Sequence, residues 1–396
     1  MNSGRRDPAR TEQLPEEPAE DMGTIAPWPK SDVCTIFTTE ILGGGAWGGA
    51  ERSAVALADW LERRNRHCRL VLYRDTYGIE AHANPGLEKV QLLPAHGPVH
   101  KIAALRRYFK PSSNAPALLV SGYQAALHAT LAGLRQFSTL MHDTPSLMGP
   151  TSPLRRGASN RIVGYGLRRA ARLGGKTIVT SEFLRDECEH FFGVRAEIVR
   201  MGGMGNKTPF HIRSAGNTLR MLSVSRIEWN KRIDWMLRSL AELEHGPTPL
   251  SHRTDWRLDI AGTGTQFAML KDMAGGLGLG DRIFFHGFVS DETLEKLYSE
   301  AHLFLMPAVQ GYGIPAIESL QRGTPVLLHR ESGVSDILLD TPWATVLTRG
   351  PEEMTPRLRE AIDGVLSGRH HSVALPHLPS EEEWAEKVAR LSGWIA

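Results

Sequence analysis

Cysteine and long apolar runs are both scarce in this chain of 396 residues. Its three cysteines, Cys34, Cys68 and Cys188, are widely spaced and form no metal-binding pair. This spacing argues against a disulfide framework and a zinc site, and it fits a reducing compartment. No apolar run reaches the roughly 18 residues that a transmembrane helix needs. The sequence therefore predicts a cytoplasmic protein.

A strong net charge is also missing, since 46 basic residues nearly balance 44 acidic ones. The field of the whole molecule therefore does not require a nucleic acid or a membrane as partner. A secretory signal is missing as well, because residues 1–30 are rich in proline, glutamate and arginine and lack an apolar centre. We predict that residues 1–30 form a disordered leader.

What the chain does contain is two series of short apolar runs that alternate with helical stretches. This alternation is typical of parallel α/β sheets. A glycine-rich stretch at residues 202–206 separates the two series and indicates a hinge. We predict two facing, doubly wound Rossmann-like domains with a cleft between them, over residues 31–205 and 206–378. A final helix within 379–396 is expected to pack back on the first domain.

The apolar runs give the expected strands of each domain. Those of the first domain are Val33–Thr39, Arg69–Tyr73, Val90–Leu93, Ala117–Val120, Ser138–Met141, Thr177–Val179 and Glu197–Arg200. Those of the second domain are Met221–Val224, Arg257–Ile260, Arg282–Phe285, Leu303–Met306 and Pro325–Leu328. In such sheets, ligands bind at the carboxyl ends of the strands, where helix N-termini converge.

Two cations stand on a short connection of this kind in the second domain. Arg226 and Lys231 follow the strand that ends near Val224, and a helix begins just after them. Two fixed cations beside a helix N-terminus form a site for a diphosphate. A solvated loop with two surface cations is the alternative explanation.

A second connection, at residues 310–318, reads Gln-Gly-Tyr-Gly-Ile-Pro-Ala-Ile-Glu. Gly311 and Gly313 let the backbone approach a ligand closely, and a helix starting near Pro315 directs its N–H groups at that ligand. Glu318 is expected on the first turn of this helix, where it can accept hydrogen bonds from a ribose diol. Alternatively, Glu318 only complements the helix dipole.

The first domain contains a glycine-rich loop after its first strand. Gly43-x-Gly45-x-x-Gly48 fits the dinucleotide-binding pattern, with Asp75 at the end of the next strand as a ribose ligand. A nicotinamide-dependent oxidoreductase is therefore an alternative function. That pattern is weak on its own, and it leaves the second domain unexplained.

Together these segments resemble the donor-binding machinery of the GT-B glycosyltransferases, specifically the retaining family 4. Arg226 and Lys231 match the family's diphosphate-binding pair, and Glu318 matches its ribose-binding glutamate. His142 matches the family histidine near the donor sugar, so it joins Arg226 and Lys231 as a catalytic candidate. The other donor-binding residues implied by the resemblance are Gly48, Gly49, Gly262, Thr263, Phe288, Val289, Gln310, Gly311, Tyr312, Gly313 and Ile314.

The resemblance implies transfer of a sugar from a UDP- or GDP-linked donor to a glycan, glycolipid or small-molecule acceptor. The second domain would bind the donor and the first domain the acceptor. Retention of configuration is implied by the family alone. No Asp-x-Asp occurs in the chain, so we expect neither a metal nor a cofactor, with fixed cations and helix dipoles stabilising the leaving diphosphate.

Gln310 departs from the family pattern, which has a glutamate at this position. Glutamine keeps the shape and one acceptor, loses the charge and gains donors. A nucleotide-binding pseudo-transferase is therefore a further alternative, and an epimerase on the same fold is another.

Residues 144–181 contain no acidic residue but seven basic ones, among them Arg155, Arg161 and Arg172. Such a segment binds an anionic membrane surface or an anionic acceptor, or it is simply a solvated basic helix. Because no recognised nucleic-acid motif accompanies the charge, we do not expect nucleic acid. The segment from Arg155 to Arg172 instead suggests peripheral association with the inner membrane face.

Overall fold

The computed structural model describes residues 33–41, 49–76, 78–83, 86–92, 97–109, 118–150, 152–203 and 209–395. The predicted leader, Gly48 and part of the glycine-rich hinge lie outside these described residues. None of the helices in the described parts combines the length and the hydrophobicity that a membrane-spanning segment requires.

The first domain alternates strands and helices along the chain. Its strands are β1 (Val33–Phe37), β2 (Glu40–Ile41), β3 (His67–Leu72), β4 (Arg74–Asp75), β5 (Leu87–Gln91), β6 (Leu118–Ser121), β7 (Ser138–Met141), β8 (Thr177–Val179) and β9 (Glu197–Ile198). Its helices are α1 (Gly49–Glu62), α2 (Gly97–Tyr108), α3 (Tyr123–Leu131), α4 (Pro153–Arg172) and α5 (Glu182–Phe192).

Seven of these strands form a parallel sheet in the order β5-β3-β1-β6-β7-β8-β9. Strand β1 pairs with β3 on one side and with β6 on the other. The order of the strands in the sheet therefore reverses direction at β1. The loops after β1 and β6 therefore diverge and leave a crevice at the carboxyl edge of the sheet.

The second domain repeats this plan. Its strands are β10 (Thr218–Val224), β11 (Asp255–Ala261), β12 (Ile283–Gly287), β13 (Leu303–Met306), β14 (Val326–His329) and β15 (Ala344–Leu347). Its helices are α6 (Ile233–His245), α7 (Phe267–Gly276), α8 (Asp291–Glu300), α9 (Ile314–Gln321) and α10 (Met354–Leu366), and the chain then continues into α11 (Glu381–Leu391).

The second sheet is also parallel and has the order β12-β11-β10-β13-β14-β15. Its direction reverses at β10, which pairs with β11 on one side and with β13 on the other. The loops after β10 and β13 are therefore the two that border the crevice of this sheet. They carry the two segments that the sequence analysis selected.

The last helix joins the two domains. Ser380 and Glu383 form a capping box at the start of α11, which fixes where this helix begins. Trp384 is buried and belongs to the same apolar cluster as Trp60 of α1 and Phe304 of β13. Burial of this shared apolar surface is the main contribution that stabilises the contact between the domains.

The predicted architecture of two parallel, doubly wound α/β domains is confirmed. The boundaries differ in places, since β5 is Leu87–Gln91 rather than Val90–Leu93. The final helix, expected within 379–396, is α11 and ends at Leu391. Gly393 follows with a φ of 74°, a left-handed conformation that stops a helix. The sequence analysis ended the second series too early, because it omitted β15 and α10.

Candidate active site in the cleft

The loop after β10, residues 225–232, is held against the loop after β11. The N–H of Ile227 donates to the carbonyl of Thr263 over 2.8 Å. Gly262 has a φ of 133°, and a Cβ added there would lie 1.9 Å from the carbonyl oxygen of Ser225. Only glycine permits this approach. The packing fixes the main chain around Arg226, whose side chain is exposed.

A side-chain clamp adds to this contact. Thr265 donates to the carboxylate of Glu228, with its hydroxyl to Oε2 over 2.6 Å and its N–H to Oε1 over 3.1 Å. These bonds, the hydroxyl bond first, lower the pKa of Glu228. These two hydrogen bonds join the loop after β10 to the loop after β11. The sequence analysis did not identify this clamp, because Glu228 and Thr265 lie far apart in the sequence.

The loop after β10 also binds the loop after β13, residues 307–313. Asn230 donates from Nδ2 to the carbonyl of Val309 over 2.9 Å, and Val309 donates back to the carbonyl of Asn230 over 2.8 Å. Lys231 donates from Nζ to Oε1 of Gln310 over 2.6 Å. The crevice at β10 and β13 therefore has a defined cation at its centre.

Both polar atoms of the Gln310 side chain form hydrogen bonds. Its Nε2 donates to the hydroxyl of Ser332 over 3.1 Å and approaches the sulfur of Met306 at 2.9 Å. A carboxylate in this place would set an oxygen, which has no hydrogen to donate, against these two groups. The glutamine therefore fits its surroundings, and its Oε1 is the end that faces Lys231.

The ammonium group of Lys231 faces this neutral amide. Burial, and then the nearby positive charge of Arg226, lower the pKa of Lys231 to about 8. Both causes disfavour the charged amine. An incoming diphosphate supplies the negative charge that the amide lacks, so anion binding and protonation of Lys231 favour each other.

This linkage predicts a pH dependence of nucleotide binding. Lys231 is protonated below its pKa of about 8 and loses its charge above it. We expect the affinity for UDP or GDP to fall as the pH rises through about 8, while uridine and guanosine show no such fall. Gln310→Glu places a carboxylate beside the amine and raises its pKa. Calorimetric titrations of this variant should therefore show the fall at higher pH, and an unchanged midpoint would contradict the assignment.

Contacts between the domains bring His142 to the loop after β13. A Cβ added at Gly311 would lie 2.3 Å from the carbonyl oxygen of His142. The carbonyl of Gly311 accepts from the hydroxyls of Ser181, at 2.7 Å, and Thr180, at 3.3 Å. His142 and Gly311, which the sequence analysis selected separately, are thus adjacent across the cleft.

The ring of His142 is neutral at physiological pH. Burial lowers its pKa to about 4, and the carboxylate of Asp143 opposes this only in part. Its Nε2 lies 3.3 Å from the hydroxyl of Ser53 on α1. A neutral imidazole in this place offers one donor and one acceptor to a polar ligand.

The N-termini of α1 and α9 face each other. A Cβ added at Gly49 would lie 3.2 Å from Cδ1 of Ile314. The first turn of α1 also carries Glu51, whose pKa is raised by burial and lowered in part by Arg226. Glu51 was not among the predicted site residues, although an acid directly after a glycine-rich loop is a usable signal.

Glu318 is the fifth residue of α9, which begins at Ile314. The expectation that it lies on the first turn, and the dipole explanation that depends on it, are therefore wrong. Its carboxylate is buried, with Oε2 accepting from the hydroxyl of Tyr298 and Oε1 from Arg52, both at 3.0 Å. Burial raises the pKa of Glu318, and Arg52 opposes this rise most strongly.

The remaining candidates differ in exposure. Phe288 is 64% exposed beside Gly287, while Val289 packs against the core. The ring of Tyr312 is buried. The main-chain carbonyl of Tyr312 accepts hydrogen bonds from the hydroxyl of Ser332 and from the N–H of Val334. The ring and the carbonyl of Tyr312 therefore support the loop after β13, and its donor contact stays a prediction.

Asp75 does not present a free carboxylate for a nicotinamide dinucleotide. It accepts from the N–H groups of Gly78 and Ile79 over 2.8 and 3.0 Å. Its Oδ2 also lies 3.2 Å from Nζ of Lys89, and its side chain is fully buried. The carboxylate thus caps a short 3₁₀ helix, and the oxidoreductase alternative loses its ribose ligand.

Among the described residues, no three histidine, cysteine or carboxylate side chains converge as metal ligands do. The polar groups that the cleft brings together are the cations Arg226 and Lys231, the amide of Gln310, the neutral imidazole of His142 and the carboxylates of Glu51 and Glu318. This set can bind a diphosphate and the hydroxyl groups of a sugar.

The fold is that of the GT-B glycosyltransferases. The Anabaena HepE protein, solved in complex with UDP and glucose, aligns with a TM-score of 0.64 at 15% identity. That alignment covers 91% of this chain and 100% of HepE. Residues 206–369 match the family described as glycosyl transferases group 1. The second domain is therefore similar to this family over most of its length, and the resemblance seen in the sequence is confirmed.

Two relatives show how far the sequence similarity extends. An uncharacterized glycosyltransferase of Methanocaldococcus jannaschii is 32% identical over 30% of this chain and 29% of its own. A GDP-mannose-dependent alpha-(1-6)-phosphatidylinositol dimannoside mannosyltransferase of Mycobacterium tuberculosis is 28% identical over 53% of this chain and 55% of its own. The matches thus span about half or less of the length of these relatives.

Proposed function

We propose that this protein is a glycosyltransferase that moves a sugar from a nucleoside diphosphate sugar to a carbohydrate or lipid-linked acceptor. The observation that carries the proposal is the position of Lys231. Its ammonium group lies at the switch point of the second sheet, 2.6 Å from a neutral amide oxygen. The exposed cation Arg226 precedes it on the same loop. This arrangement holds excess positive charge where a diphosphate would bind.

In the proposed reaction the bond between the sugar and the diphosphate breaks, and negative charge grows on the leaving phosphate oxygen. Arg226 and Lys231 stabilise that charge more strongly in the transition state than in the bound donor, which accelerates the step. We propose that these fixed cations act without a metal, in line with the missing Asp-x-Asp sequence.

We further propose that the sugar keeps its anomeric configuration through a front-side displacement within an ion pair. The acceptor hydroxyl then attacks from the side that the diphosphate leaves, and its proton passes to the leaving phosphate. Neutral His142, beside Gly311 at the cleft, would orient a hydroxyl of the donor sugar.

His142→Ala is expected to lower turnover more than donor affinity. Steady-state kinetics of the variant and the wild type measure both effects.

The names of the relatives support two donor classes. The Mycobacterium tuberculosis relative is named as GDP-mannose-dependent, and HepE was solved with UDP and glucose. We therefore propose a UDP- or GDP-linked donor.

Helix α4 supports a membrane-proximal acceptor. Arg161, Tyr165, Arg168 and Arg172 recur at helical spacing and are all exposed, so they share one face. Leu154, at 88% exposure, lies on the same face. Basic and apolar groups together suit the interface of an anionic membrane. We propose that this face, the α4 basic face, brings the first domain to lipid-linked acceptors.

Charge reversal tests the α4 basic face. Because each basic residue near an anionic surface contributes about 1 kcal/mol, Arg161→Glu with Arg172→Glu should weaken vesicle binding roughly tenfold or more. The measurement is co-sedimentation with vesicles that contain phosphatidylglycerol. Arg238→Glu with Lys271→Glu changes the net charge equally at exposed sites of the second domain. If both pairs weaken binding equally, the α4 basic face has no special role.

The proposed function is tested by adding UDP, GDP and NAD to the protein and measuring thermal stabilisation. Stabilisation by UDP or GDP is expected, because a ligand that binds only the folded state raises its melting temperature. A panel of nucleotide sugars, with and without membrane extract as acceptor source, then reports released nucleotide. Stabilisation by NAD alone would contradict the proposal.

A pseudo-transferase is the second candidate, because both ends of the Gln310 amide are already bound within the protein. It would bind UDP or GDP without transfer or donor hydrolysis across the whole panel. Release of UDP without any acceptor would instead indicate hydrolysis or epimerisation.

A further inference from the structure

An ion pair between the domains covers Glu318. Nη1 of Arg52, on the first domain, donates to Oε1 of Glu318, on the second, over 3.0 Å. The Arg52 side chain is 24% exposed and that of Glu318 only 5%. The guanidinium therefore lies between the carboxylate and the solvent of the cleft.

The other oxygen of the carboxylate is fixed from within the second domain. Tyr298, which is buried on α8, donates its hydroxyl to Oε2 over 3.0 Å. Arg322 donates to the main-chain carbonyl of Glu318 over 2.7 Å, which holds the helix but leaves the carboxylate to Tyr298 and Arg52. Of these three contacts, the one from Arg52 depends on the position of the first domain.

We propose that Arg52 is a gate on the ribose-binding carboxylate: it pairs with Glu318 in this structure and must leave when a ribose diol binds there. This proposal rests on the proposed function, since it takes Glu318 as the ribose ligand. A diol that reaches Oε1 from the cleft needs the solvent-facing side of this oxygen, which Arg52 covers, whereas Tyr298 binds Oε2 from within the domain. The broken ion pair is then a cost of nucleotide binding.

The proposal gives Arg52 a role opposite to that of a binding residue. Were Arg52 only a structural contact between the domains, its loss would lower the melting temperature and leave nucleotide affinity unchanged. Were it a direct ligand, its loss would weaken binding. As a gate, it weakens binding while it is present, so its removal strengthens binding.

Arg52→Ala tests this in the full chain, with UDP and GDP as probes and calorimetry as readout. We expect the diphosphate that binds wild type to bind Arg52→Ala at least threefold more tightly. The 2′,3′-dideoxy form of this nucleotide lacks the diol and does not displace Arg52. It should therefore bind wild type and Arg52→Ala equally. Arg52→Lys retains a cation, so its nucleotide affinity should lie between those of wild type and Arg52→Ala.

Glu318→Gln provides the second arm. This change should weaken binding of the ordinary nucleotide. The gain in affinity from Arg52→Ala should vanish in the Glu318→Gln background. Unchanged or weaker binding to Arg52→Ala would overturn the gate while leaving the proposed function intact. Failure of wild type to bind either UDP or GDP would overturn the proposed function, and the gate with it. Melting temperatures measured without nucleotide establish that each variant is folded.

Discussion

Lys231→Ala is expected to lower turnover at least about tenfold, because removing one preorganised stabiliser of transition-state charge commonly has an effect of this size or larger. The lysine is the cation held in the crevice between β10 and β13, with its amine 2.6 Å from Gln310. The measurement is release of nucleotide from the donor that the panel identifies, at saturating donor, so that loss of binding is separated from loss of chemistry.

Two further variants sharpen this prediction. Lys271→Ala removes an equal charge from an exposed position on α7, and it should leave turnover unchanged. Lys231→Arg keeps the charge but changes its shape, so activity should be partly retained. Unchanged turnover in Lys231→Ala would show that the lysine takes no part in the reaction.

Gly262→Ala is expected to destabilise the protein by roughly 3 kcal/mol, since a left-handed backbone and a backbone clash act together. The φ of Gly262 is 133°, and the added Cβ would lie 1.9 Å from the carbonyl oxygen of Ser225. Because that carbonyl is main chain, neither loop can yield without moving Arg226. Nucleotide binding should therefore weaken together with the free energy of unfolding, as measured by urea titration and calorimetry.

Gly275→Ala is the matched control in the same domain. Gly275 lies on α7, is exposed, and a Cβ added there meets nothing within 4 Å. Alanine in an exposed helix should stabilise by about 0.5–1 kcal/mol and leave nucleotide affinity unchanged. Equal destabilisation by both changes would mean that the contact between Gly262 and Ser225 is not the cause.

The fold was largely predictable from the sequence because a buried parallel strand is a continuous apolar run. The run Leu303–Met306, for example, has the predicted bounds. The ends of elements were less accurate, since caps and tertiary contacts set them. β15 was missed because the half-buried strand Ala344–Leu347 gives a weaker apolar signal, and α10, which follows it, was missed as well.

The site was predictable only where one segment carried the chemistry. Arg226 and Lys231 lie on one connection, so their spacing was visible in the sequence. The bond from Lys231 to Gln310 joins residues 79 positions apart, and that from Arg52 to Glu318 joins residues 266 positions apart. Neither pairing follows from periodicity or propensity, because both depend on how sheets and domains pack.

We propose above that the positive charge on the loop after β10 binds a diphosphate. The most direct test is a crystal structure with UDP or GDP bound. We expect the diphosphate oxygens within hydrogen-bonding distance of Arg226 and of the ammonium group of Lys231. A nucleotide bound at another site, with both side chains directed into solvent, would contradict the account.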